Sequence, residues 1–99
     1  MNFILVYITT KNKKEAEKIG RVLVKEKLAA CVNIIGGVNS IYRWKGKIEE
    51  SKEAILIAKT KNSLLAELIK KVKALHSYEC PDIVALPIKG GSKDYLKWV

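Results

Sequence analysis

Two long stretches of strand-like alternation meet at Lys45-Gly46, and no other feature narrows the choice of fold so far. In the first, Val32, Ile34, Val38, Tyr42 and Trp44 share one parity, with Asn33, Asn39 and Arg43 on the other. That is the two-residue period of a half-buried strand. Gly36-Gly37 interrupts it and predicts a bulge or bend. Lys45-Gly46 has the length of a two-residue hairpin turn. The return strand is polar from Glu49 to Glu53 and apolar from Ala54 to Ala58. About 14 residues per limb at ~3.3 Å each give a ribbon of roughly 45 Å. A globule of about 100 residues has a radius of gyration near 13 Å and is roughly 34 Å across. The ribbon must bend or overhang, and the overhanging part carries Ile41, Tyr42 and Trp44, large apolar groups that would face water. A neighbouring subunit that pairs with the ribbon resolves this exposure and hides an open edge. Ile41, Tyr42 and Trp44, with Tyr78 and Trp98, are the expected interface anchors.

The flanking segments complete a β-α-β-β-α-β pattern. Phe3 to Thr9 is a short, β-rich apolar run, expected to be a strand buried on both faces. Asn12 and Glu15 have the spacing of a helix capping box. Ala16, Ile19 and Leu23 follow at helical spacing, which predicts a helix from about Lys13 to Lys27. A second helix starts near Asn62 or Ser63, with Leu65, Leu68, Ile69, Val72 and Leu75 as its apolar stripe. Pro81 disfavours helix at Cys80, so Ser77 to Pro81 reads as a loop. Ile83 to Ile88 is the last full strand, and Gly90-Gly91 turns the chain toward a short segment with Tyr95, Leu96 and Trp98. This pattern describes one α+β domain over residues 1–99. It is a ferredoxin-like sandwich whose antiparallel sheet has the strand order 4-1-3-2 and a long central hairpin. The helices cover one face of the sheet and leave the other open.

Ninety-nine residues exclude a multi-domain enzyme. Nineteen basic residues against 10 acidic ones give a net charge of +9, which permits attraction to anionic partners. The lysines are spread along the chain, so a solvated surface is the expectation. An RNA-binding module with this element order needs exposed aromatics on its central strands. Ala54-Ile-Leu-Ile-Ala58 is wholly aliphatic, so no nucleic-acid partner is expected. No apolar run approaches the roughly 18 residues that span a bilayer, and no membrane partner is expected. Cys31 and Cys80 do not make a disulfide scaffold, and no signal peptide opens the chain, which suggests a cytoplasmic protein with reduced thiols. Enzyme signals are thin. One histidine offers no catalytic constellation, and Gly90-Gly91-Ser92-Lys93 lacks the glycine spacing of a phosphate-binding loop.

His76, Glu79, Cys80 and Asp82 put four potential metal ligands within seven residues. Imidazole and thiolate suit zinc or copper, and carboxylates can complete the shell. The competing reading of His76 is a helix C-terminal cap. Cys31 is either a small buried hydrophobe or a soft-metal ligand. A site shared at a subunit boundary would bring several copies of these groups together. Tyr42, Trp44 and Tyr78 line either a ligand pocket or an interface. Lys59 and Arg43 are either anion-binding groups or surface charges. Glu49, Glu50 and Glu53, interleaved with Lys45, Lys47 and Lys52, form a solvated face or cross-subunit ion pairs.

Four blocks carry a family resemblance: Leu28-Ala-Ala-Cys-Val-Asn-Ile34, Ser40-Ile-Tyr-Arg-Trp-Lys-Gly-Lys-Ile-Glu-Glu50, Leu75-His-Ser-Tyr-Glu-Cys-Pro81 and Tyr95-Leu-Lys-Trp98. In order and over nearly the whole chain, they resemble the CutA divalent-cation tolerance family. The resemblance implies a ferredoxin-like fold, a tight homotrimer, a cytoplasmic location and a non-enzymatic association with tolerance of copper and other divalent metal ions. The architecture is also similar to PII signalling trimers, which implies the alternative of a small anionic metabolite bound in inter-subunit clefts. In relatives described as copper-binding, the ligands are a first-strand cysteine and two adjacent histidines before the tyrosine loop. Here those positions hold Ile8, Leu75 and His76, so His76 alone remains.

Overall fold

The computed structural model describes residues 2–99. Its elements are β1 (Phe3–Thr10), α1 (Lys13–Lys25), β2 (Cys31–Trp44), β3 (Lys47–Lys61), α2 (Leu65–Leu75), β4 (Ile83–Pro87) and α3 (Lys93–Trp98). A single 3-10 turn at Asn62–Leu64 leads into α2. The strands form one antiparallel sheet in the order β2-β3-β1-β4, the order the crossover rule predicts. The chain is elongated, with extents of 45 × 25 × 23 Å. The long axis matches the length expected of the hairpin.

One side of the sheet carries the core. Ile4, Val6 and Ile8 of β1 and Ala54, Leu56 and Ala58 of β3 are buried against Ala16, Ile19 and Leu23 of α1 and Leu68 and Val72 of α2. Gly20 lets α1 approach closely, since a methyl group there would sit 3.0 Å from Val32 and 3.2 Å from Leu56. Among the described residues the other side has no matching helical layer, although Tyr95 of α3 reaches Lys59 upon it. Phe3, Leu5 and Tyr7 are only half-buried, so β1 is not buried on both faces as the apolar run suggested. The run is apolar throughout, but the core helices α1 and α2 cover one of its faces.

The bulge changes the facing of the first hairpin strand. Val32 opposes Ala58 and Ile34 opposes Leu56, so both face the helices. The register shifts between Ile35 and Val38, with Gly37 in the left-handed region at φ 69°. Beyond it Val38 opposes Glu53, Tyr42 opposes Glu49 and Trp44 opposes Lys47, all on the open side. The single parity read from the sequence therefore splits at the glycines, because one extra residue moves every later side chain to the opposite face.

The first helix stops two residues before the expected end. Lys27 adopts φ 59°, and its amide donates to the Val24 carbonyl while that of Leu28 donates to Leu23. This is a Schellman cap with lysine where glycine is usual. At the other end, the Asn12 side chain accepts from the Glu15 amide at 2.8 Å, one half of a capping box, while the Glu15 carboxylate accepts from the Lys11 amide instead of that of Asn12. The last strand ends at Pro87 rather than Ile88, although the Ile88 amide still donates to the Phe3 carbonyl.

Pairing of β1 with β3 ends at Thr10 opposite Ala54. Past that point, residues 38–44 and 47–53 form a two-stranded arm that no third strand joins among the described residues. Lys45 and Gly46, at φ 50° and 78°, give the arm the mirror-image turn that suits a twisted hairpin. Tyr42 and Trp44 are 44% and 56% exposed on one face, and Ile41 and Ile48 are 65% and 70% exposed on the other.

Candidate functional site

A polar cluster gathers where β1 ends, at the root of the arm. Glu15 is its hub. It lies four residues before Ile19 on the inward stripe of α1, and only 9% of it is exposed. A carboxylate there must be satisfied internally. One oxygen accepts the Lys11 amide at 3.0 Å, and the other accepts the Ser77 amide at 2.9 Å. Burial pushes its carboxyl up, but the hydrogen bonds from Ser77 and Lys11 and the neighbouring His76 outweigh that, and the net shift is downward.

His76 caps α2, its amide donating to the Val72 carbonyl. Its side chain is fully buried. Nε2 lies 2.8 Å from the Thr9 carbonyl, which can only accept, and Nδ1 accepts from the Tyr78 amide at 3.0 Å. The tautomer with its proton on Nε2 satisfies both bonds. Glu15 stands 4.0 Å from Nδ1, beyond a direct hydrogen bond.

The Tyr78 ring leans on His76, with centroids 4.8 Å apart, and its phenol donates to Glu53 at 2.7 Å. Burial first, and then the Glu53 carboxylate, push the Tyr78 hydroxyl well above its ordinary value, so it remains a donor. Thr9 closes the circle. Its amide donates to the Asp82 carbonyl and its hydroxyl to the Asp82 carboxylate, at 3.3 and 3.4 Å. Among the described residues, no buried side-chain nitrogen or oxygen lacks a hydrogen-bond partner.

The expected ligands do not converge within one chain. Both ring nitrogens of His76 are engaged. Glu79, Cys80 and Asp82 are exposed on the loop beyond it. Cys31 opens the edge strand β2, while Cys80 precedes β4 at the opposite edge, and both thiols are free. Among the described residues, no group of three or more His, Cys, Asp or Glu side chains could hold a metal ion. A divalent cation on His76 would have to break the bond to Thr9 or the bond to Tyr78, so the residues of a single chain do not fit the ligand set expected of them.

The expected interface residues divide into two groups. Ile41, Tyr42 and Trp44 stand out along the arm. Trp98, 61% exposed, stacks on Tyr95 at the end of α3. Tyr78 instead turns inward to Glu53. Lys59 reaches the Tyr95 hydroxyl at 3.3 Å, and Arg43 lies near the arm tip, so the two do not form one anion site. Sequence reasoning missed the joint roles of Glu15, Thr9 and Glu53. A signal existed for Glu15, whose spacing of four from Ile19 and eight from Leu23 places an acid on the apolar stripe.

Comparison with known proteins adds the family. The CutA1 divalent ion tolerance protein family matches residues 4–99. The divalent-cation tolerance protein CutA of Thermus thermophilus is 47% identical over 96% of this chain and 92% of its own length. The chloroplastic CutA of Arabidopsis thaliana is 48% identical over 97% of this chain, which spans only about half of that longer protein (53%). The crystal structure of CutA1 from Oryza sativa superposes with a TM-score of 0.96 at 47% identity, covering 99% of this chain and 90% of the other. Likeness in sequence and in fold each extends over nearly the whole chain, and the chain therefore belongs to the CutA1 divalent ion tolerance family.

Proposed function

We propose that the protein acts as a homotrimer in divalent metal ion tolerance, copper included, without enzymatic activity, and that cations meet it at positions shared between copies. The observation that carries this reading is the arm. Both of its faces carry large exposed apolar side chains, and among the described residues it has no third strand, whereas an isolated two-stranded ribbon is marginally stable in water. The open sheet face adds Ile35, Val84 and Leu86, each about half exposed (50%, 52% and 53%). Strands β2 and β4 are both sheet edges, so copies can join head to tail, and joins of that kind make a ring when the rotation between copies closes. The names of the relatives speak of divalent-cation tolerance and of no enzymatic activity. The exposed donors Glu79, Cys80 and Asp82 are the groups a second copy could complete into a cation site.

Calorimetric titration of the assembled protein with Cu(II) and Zn(II) tests the cation half of this reading. Saturable binding is expected, retained in His76→Gln and lost when Glu79, Cys80 and Asp82 are changed together to Gln, Ser and Asn. Absence of saturable binding removes that half.

The alternative reading, a PII-like sensor of a small anionic metabolite, draws on a groove between α1 and β2. Gly20, Val24, Val32 and Ile34 line it together with Arg21, Lys25 and Glu17. A copy seated along the β2 edge would turn this groove into a cleft. A thermal-shift screen with nucleotides and carboxylic acids separates the two readings. A ligand-induced rise favours the sensor, and silence across the screen counts against it.

A further inference from the structure

We propose that the Tyr78–Glu53 hydrogen bond is a brace that ties the arm to the loop after α2, so that the position of this loop sets the disposition of the arm. Glu53 occupies the one position where such a tie has leverage. It is the first residue of β3 beyond the end of β1, and it opposes Val38, the first paired residue beyond the bulge. Here the sheet narrows to two strands and the arm is freest to swing. On the helix side, the root rests on the stem of Lys13, whose carbons lie 3.5–3.8 Å from where a side chain on Gly36 would begin. On the open side, the 2.7 Å bond from Tyr78 is the matching restraint.

The other end of the brace is itself immobilised. Ser77 is bonded to Glu15, and the His76 ring is bonded to both Thr9 and the Tyr78 amide. The sequence of contacts therefore runs from the buried hub of α1, through the loop, to the arm. Glu79 and Cys80 follow Tyr78 directly and are exposed, so any partner that draws on them also pulls on the brace. The inference deepens the assembly reading in one respect, since an arm that joins copies makes their joining answer to this loop.

Amide hydrogen exchange on the full chain tests the brace. In Tyr78→Phe the arm amides of residues 38–44 and 47–53 are expected to exchange about tenfold faster, the effect of losing one hydrogen bond to a charged acceptor. Amides of β1 should keep the wild-type rate. Glu53→Leu should reproduce the effect, and Glu53→Gln, which retains an acceptor for the phenol, should largely restore protection. Unchanged arm exchange in Tyr78→Phe overturns the brace. So does equal acceleration in β1, which would mean general loosening. Sedimentation of the same samples keeps the two ideas apart: a monomer whose arm loosens only in Tyr78→Phe supports the brace while defeating the trimer.

Discussion

The body and the arm of this molecule obey different rules. In the body, the helix side of the sheet alternates cleanly, and Val6, Ile8, Ile19, Leu23, Leu56, Leu68 and Val72 are fully buried. In the arm, a continuation of two of the same strands, both faces are wet and Ile41, Tyr42, Trp44 and Ile48 are all exposed. The arm is richer in charge than the body, yet Ile41, Ile48 and Trp44 are as hydrophobic as the core. What separates them is the end of β1 at Thr10, past which no layer and no third strand remain. The body closes on its own chain, whereas the arm carries binding energy that its own chain leaves unused.

If this division holds, the largest effect comes from the body. Leu23→Ala should cost about 2–5 kcal/mol of unfolding free energy. Ile48→Ala, at an exposed arm position, should change the stability of an isolated chain by no more than about 0.5 kcal/mol. Urea melts of the two variants compare them directly. Equal losses would erase the distinction.

Trp44→Ala should reverse the order. It should weaken association by about 2 kcal/mol or more, the scale of a buried aromatic anchor, while the circular dichroism of the fold stays unchanged. Concentration-dependent light scattering reads this effect, and undiminished association would show that Trp44 is not an anchor.

Glu15 lies between the two regions. Glu15→Ala strands the Lys11 and Ser77 amides and should cost about 1–3 kcal/mol. The carboxyl has a lower pKa folded than unfolded, so its stabilisation is present above the unfolded value. That stabilisation is lost as the pH falls below 4.5 through the folded value. Urea midpoints measured from neutral pH downward should fall more steeply for the wild type than for Glu15→Gln. Parallel slopes would remove Glu15 from the account.

A small gain is expected in the body. Lys27 holds a left-handed conformation that glycine adopts freely. Lys27→Gly should therefore stabilise by about 0.5–1 kcal/mol, detectable as a rise in the thermal midpoint.

The sequence made the order of elements, the hairpin turn, the place of the bulge and the exposure of Ile41, Tyr42 and Trp44 legible, because each depends on local periodicity or on length. It did not reveal which way Val38, Tyr42 and Trp44 face, since Gly36-Gly37 marks an interruption without saying that exactly one residue is extra. Nor did it reveal the end of α1, because the capping position holds lysine where glycine would have signalled a stop. The site was the least legible part. Glu15 meets Ser77 across 62 residues and His76 meets Thr9 across 67, and no local pattern encodes such pairings. The cluster from His76 to Asp82 looked like a chelate because its members are near in sequence. In the fold His76 turns inward to the backbone while Glu79, Cys80 and Asp82 remain at the surface.

Sedimentation equilibrium of the wild-type protein at micromolar concentration tests most directly whether the arm is completed by other copies. A single species with the mass of three chains is expected. A stable, folded species with the mass of one chain would contradict it.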